Sequence, residues 1–245
     1  MKKLWNKIHI NYLTYVVLLL SLIGGYVKYV VIILAILFVH EAGHIIAIKF
    51  LNKKIQSITI LPFGGIIKLN GHVSDSIIEE LLISIAGIAS QTIFGLILNF
   101  FKDFHCYSIV TYYNKLLITF NLLPICPLDG YNIIKCLLEL FVPYEKSLHI
   151  SILFSLIILS GIVLIKSNLI RDNLLLISFI LYRILLDYKN IKYQVNKFYL
   201  ERILYTFNYK LKKIKTIKNM FRNKVHTIDG IKEREYLLKY KYSRK

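Results

Sequence analysis

The sequence has 245 residues, 56% of them hydrophobic, with a mean hydropathy of +0.56 and a net charge of +18. That apolar share exceeds the roughly half of an ordinary soluble domain and excludes a water-soluble globule. Three cysteines, Cys106, Cys126 and Cys136, lack paired or metal-type spacing and imply no disulfide framework.

The first apolar run, Tyr12 to Ile23, follows Lys2, Lys3 and Lys7. Leu22-Ile23-Gly24-Gly25-Tyr26 is a poor small-residue cleavage site, so the run is expected to stay as a first helix rather than leave as a signal peptide. A second span returns from Tyr29 to Phe50 and ends at Lys49, Lys53 and Lys54. Basic residues are retained on the cytoplasmic side, which puts the N-terminus and the end of this span inside. Ile55 to His72 is too short and too punctuated to cross a bilayer. Its halves, Ile58 to Leu61 and Ile66 to Leu69, are bridged by Pro62-Phe63-Gly64-Gly65 and read as two short strands in a hairpin or re-entrant loop. Such backbone at membrane depth should lie beside a cavity.

A third span is expected from Ile77 to Phe101, with Glu79 and Glu80 at the interface and Ala86, Gly87, Ala89, Ser90 and Gly95 suited to close packing. The fourth descends from Tyr107 to Leu128, where Pro124 and Pro127 must break the helix just before Asp129. A fifth (Ser147 to Ile165) and a sixth (Leu169 to Asp187) form a helical hairpin with Lys166 and Arg171 outside. The expectation is an all-α polytopic membrane protein of about six spans, residues 1–187, with a core at 29–132 and both termini cytoplasmic. From Tyr188 to Lys245 there are 17 Lys and Arg against 4 Asp and Glu, which reads as a basic cytoplasmic tail touching anionic lipid. Nucleic-acid binding has no support beyond charge.

The second span carries His40-Glu41-Ala42-Gly43-His44, an H-E-x-x-H pattern. Positions four apart share a helix face, so both histidines can reach one Zn²⁺ while Glu41 stands beside the open coordination position as general base. With 7 His in the chain, chance placement yields about 0.006 such matches, so the motif is specific. Ionisable groups inside an apolar span are also costly unless paired or ligated. A catalytic zinc needs a third protein ligand. Asp129 is the candidate, because the fourth span delivers it to the same inner depth as Glu41; the alternative is a turn or cap role, since Asp-Gly is a common turn pair. Asn121, on the same span, could hydrogen-bond a substrate strand or a developing oxyanion, or could join helices. His72 is a surface or substrate-contact residue, and His9, His105, His149 and His226 have no assigned role.

Together, His40-Glu41-Ala42-Gly43-His44, Leu61-Pro62-Phe63-Gly64-Gly65, Ser84-Ile85-Ala86-Gly87 and Asn121 through Gly130 (NLLPICPLDG) resemble the site-2 proteases, intramembrane zinc metalloproteases. The resemblance implies zinc held by His40, His44 and Asp129, Glu41 as the base, and substrate engagement by Asn121 and Pro127. It is strongest to the sporulation members. That implies pro-sigma-K as the membrane-associated protein substrate, inhibitory membrane partners, and a place in the membrane around the forespore. Two features depart from the pattern: Tyr131 stands where many relatives have a second glycine, and the segment after Asp187 is too short for a typical CBS pair. Alternatives are another membrane-associated substrate such as an anti-sigma factor, or a metal transporter. The transporter would need acids and histidines in both halves of the membrane, and the outer halves are apolar.

Overall fold

The computed structural model describes residues 8–61, 64–165 and 174–239. They form two compact units. One takes the described residues up to Gly71 together with Leu82–Asn121, and the other takes His72–Leu81 and everything from Leu122 on.

In the first unit, β1 (Ile8–Ile10) is followed by α1 (Tyr12–Ile23), which stops at Gly24-Gly25, where Gly25 takes a φ of 75°. Helix α2 (Val27–Phe50) has 24 residues, about 36 Å at 1.5 Å each, enough to cross a bilayer. Its end is set locally. Asn52 adopts a left-handed φ of 54°, and N–H groups of Asn52 and Lys53 donate back to the carbonyls of Lys49 and Ile48 at 3.0 Å, the paired bonds of a Schellman stop. Ile36, His40, His44 and Ile48, spaced by four, form the buried stripe of α2. Phe38 and Ile46 stay 76% and 67% exposed, a distribution that suits lipid rather than water.

Strands β2 (Lys54–Leu61) and β3 (Gly64–Asn70) pair antiparallel, with Ile58 opposite Ile67, and β1 adds in parallel on the other edge of β2. The expected turn residues Pro62 and Phe63 lie outside the described residues. Ile55 and Ile58 of the sheet pack on Ile48 of α2, with Ile45, Ile67, Leu69 and Ile83 around them, which fixes the sheet beside the C-terminal end of α2. Within the same unit, residues 82–98 of α3 (Ile77–Leu98) approach α2 closely. A Cβ on Gly43 would collide with Ala86 O and Ser90 Oγ, so only glycine permits the approach. Ser90 Oγ then donates to Val39 O at 3.0 Å. Helix α4 (Tyr107–Leu122) is 16 residues long.

The second unit contains the first turn of α3, α5 (Asp129–Phe141), α6 (Tyr144–Ile165), α7 (Leu174–Leu204), a sheet of β4 (Leu211–Ile214), β5 (Val225–Ile228) and β6 (Ile231–Lys232), and α8 (Glu233–Leu237). Buried Ser147, Ser151 and Ser155 line one face of α6, and Ser155 Oγ accepts the Cys126 N–H at 3.2 Å. Among the described residues, three helices, α2, α3 and α6, are long and apolar enough to cross a membrane.

Two expectations need revision. The basic tail does not begin at Tyr188: α7 runs on through it to Leu204, and residues 205–239 fold into the second sheet and α8 instead of trailing as a solvated tail, so the protein is mostly but not wholly helical. The cause is pairing that a charge count cannot register. Arg202 and Arg222 are each 2% exposed and held by acids and carbonyls of the same unit. The expected outside residues Lys166 and Arg171 lie outside the described residues.

Candidate metal centre

His40 and His44 lie on the buried stripe of α2, 4% and 8% exposed. Each ring is oriented through its Nδ1 by α3. His40 Nδ1 donates to Gln91 Oε1 at 3.0 Å, and His44 Nδ1 donates to the backbone carbonyl of Ile83 at 2.7 Å. Gln91 is fully buried, and its backbone carbonyl accepts from Asn114 Nδ2 at 3.1 Å. With both Nδ1 atoms occupied as donors, Nε2 is the nitrogen each ring has left to offer a metal. Those two Nε2 atoms are 3.0 Å apart.

Two acceptors that close repel unless a cation lies between them. Tetrahedral ligands at zinc distances of roughly 2.0–2.1 Å are separated by about 3.3 Å, close to the spacing found, so the donor set fits zinc. Crowding maintains the arrangement: a Cβ on Gly87 would overlap His44 Nε2 and the Cε1 atoms of both rings.

Glu41, the next residue on the helix, points to the sheet. The Gly65 N–H donates to Glu41 Oε1 at 2.7 Å, and a Cβ on Gly65 would sit 2.8 Å from the carboxyl carbon, so glycine is needed for the backbone to reach the acid. Gly64 has a φ of 145°, a conformation that side-chain-bearing residues rarely adopt. Beside Glu41 opens a cavity of about 470 Å³ lined by Leu34, Phe38, Ile45, Ile58, Gly64 and Gly65 among others. Its walls are apolar apart from Glu41.

In the second unit, Pro124 and Pro127 interrupt the chain after α4, and Asp129 becomes the first residue of α5. The Cys126–Pro127 peptide is cis. Gly130 lets α5 start against the carbonyls of Leu122 and Leu123, where a Cβ would collide. Asn121 is buried at the C-terminal end of α4, and Pro127 is half-buried. His72 is partly exposed near Glu201, and His226 is fully buried, its Nε2 accepting the Phe221 N–H and its Nδ1 on Glu233 at 2.9 Å, a structural role in the folded C-terminal segment.

The sequence reading missed Gln91, the Ile83 carbonyl and the Gly65 N–H. Only Gln91 left a signal, an amide in the middle of a mostly apolar span. Gln91→Leu should weaken zinc binding by about 10- to 100-fold, the usual effect of losing a group that orients a ligand, measured by competition with a chromophoric chelator.

The chain is similar to known proteins in sequence and in fold. Residues 28–106 match the model of Peptidase family M50. Stage IV sporulation protein FB of Bacillus subtilis is 27% identical over 230 residues, covering 91% of this chain and 80% of that protein. Zinc metalloprotease MJ0392 of Methanocaldococcus jannaschii is 30% identical over 159 residues, 59% of this chain but only 46% of that relative. Among solved structures, the Site-2 Protease from Methanocaldococcus jannaschii shares the fold, with a TM-score of 0.57 and 24% identity over 74% of this chain and 89% of that one.

Proposed function

We propose, on the premise that this chain is a membrane metalloprotease of peptidase family M50, the site-2 protease family, that it cuts a membrane-associated protein near the cytoplasmic face and that pro-sigma-K is its substrate. The observation that carries the reading is the histidine pair: two Nε2 lone pairs 3.0 Å apart, each fixed by an Nδ1 hydrogen bond to α3. We assign the ligands as His40, His44 and Asp129, the set that the resemblance to the site-2 proteases implies. The proposed topology has six spans with both termini cytoplasmic, in the membrane around the forespore.

Zinc bound there supplies a Lewis acid and brings the pKa of a water toward neutral. Glu41 does the proton work. One carboxylate oxygen is held by the Gly65 N–H, and the other remains to take a proton from the attacking water and pass it to the departing amide nitrogen. Strand β3 is the edge of its sheet, so an extended substrate segment can add alongside it, with apolar side chains in the cavity next to Glu41. Asn121 and Pro127 are assigned to substrate engagement. An anti-sigma factor would present the same extended backbone and is the competing substrate.

The test is co-expression with pro-sigma-K from the same source, with and without a zinc chelator in the membranes. A shortened product that the chelator suppresses is expected. Cleavage of another membrane peptide but not of pro-sigma-K would remove the sporulation assignment, and absence of zinc-dependent cleavage of any membrane peptide would remove the protease reading.

A further inference from the structure

The C-terminal segment carries a buried cation that no part of the proposed chemistry uses. Arg222 is 2% exposed and forks to two acids far away in sequence. Its Nη1 donates to Glu139 Oε2 at 2.6 Å and to Glu80 Oε2 at 2.8 Å, and its Nη2 donates to Glu80 Oε1. Lys135 adds a second cation interacting with both acids, so two positive and two negative groups balance. The loop bearing Arg222 is itself locked. Its carbonyl accepts from Arg202 Nη2 at 2.6 Å, Met220 O accepts the Tyr144 N–H, and the Phe221 N–H donates to His226 Nε2.

The two acids sit on informative helices. Glu80 is in the first turn of α3, three residues, or about 4.5 Å of helix rise, before Ile83, whose carbonyl fixes His44. Glu139 is on α5, the helix whose first residue is Asp129. A helix transmits axial displacement with little compliance, because its backbone hydrogen bonds resist stretching. One guanidinium therefore grips both the helix that orients a histidine ligand and the helix that begins with the acid assigned as the third ligand.

We propose that Arg222 is a positioning residue for the metal centre, tying the folded C-terminal segment to the geometry of the zinc ligands; the inference rests on the ligand set assigned above. It makes residues 205–239 a part of the catalytic unit, with Arg222 as their point of action. A Lys at this position keeps the charge but cannot fork to two carboxylates.

The experiment compares full-length wild type, Arg222→Lys, Arg222→Met combined with Glu139→Gln, and the control Lys215→Ala. Zinc affinity is read by chelator competition, and ligand geometry by the visible absorption of the Co²⁺-substituted protein. Expected results are zinc bound about 10-fold more weakly by Arg222→Lys, with an altered Co²⁺ spectrum, a larger loss in the double variant, and no change in the control. Folded Arg222→Lys with wild-type zinc affinity and Co²⁺ spectrum overturns the proposal, even if its melting temperature falls. Should the double variant not fold, Arg222→Lys decides alone. A wild-type protein that takes up no zinc would instead bring down the ligand assignment, and this inference with it.

Discussion

Glu41→Gln is expected to lower peptide cleavage by roughly 10³-fold, within the range that a lost general base costs, while leaving zinc in place. The substitution exchanges one carboxylate oxygen for an amide and changes neither size nor shape. The amide oxygen can still accept from the Gly65 N–H, so the loop at Gly64-Gly65 keeps its position. Neither histidine is touched, and their Nδ1 partners on α3 are unchanged. What disappears is the site that receives a proton from the attacking water. Metal content by mass spectrometry should therefore match wild type while product formation in membranes falls to near background. Wild-type turnover in the Gln variant would assign the base elsewhere. Loss of zinc together with activity would mean that Glu41 acts through the metal site instead of through the proton.

Much of this centre is legible in the sequence because helical geometry converts spacing into direction. His40 and His44, four apart, must share a face of α2, and the structure has them on its buried stripe. The chain break before Asp129 is equally legible, since Pro124 and Pro127 cannot continue a helix. Partners that are backbone groups are hard to read: the Ile83 carbonyl would be present whatever residue stood there, and Gly65 shows that the backbone can approach closely without showing which side chain its N–H meets. The C-terminal segment was illegible for another reason. Arg222 meets Glu80 and Glu139 across 142 and 83 positions, and a run rich in Lys and Arg looks solvated until those acids are known to be near. Strand β1 was hidden likewise, because three residues carry no period and acquire strand geometry only by pairing with β2.

Asp129→Asn separates the two readings of Asp129. If the residue serves as a helix cap or turn former, asparagine should replace it with little loss, since Asn caps as well as Asp does and favours the same turns. The helix already argues against capping: the N-cap position of α5 is Leu128, and no side chain caps it. If Asp129 is a zinc ligand, the same substitution replaces an anionic oxygen donor with a neutral amide, a poor match for a dication. Zinc affinity should then fall by more than about 100-fold, beyond what losing an orienting group costs, and cleavage should fall with it at limiting zinc. Zinc affinity is the discriminating readout, because asparagine preserves a cap or turn and the metal-free protein should then be about as stable as wild type under either reading. Retained zinc affinity would return Asp129 to a structural role and leave His40 and His44 in need of another third ligand.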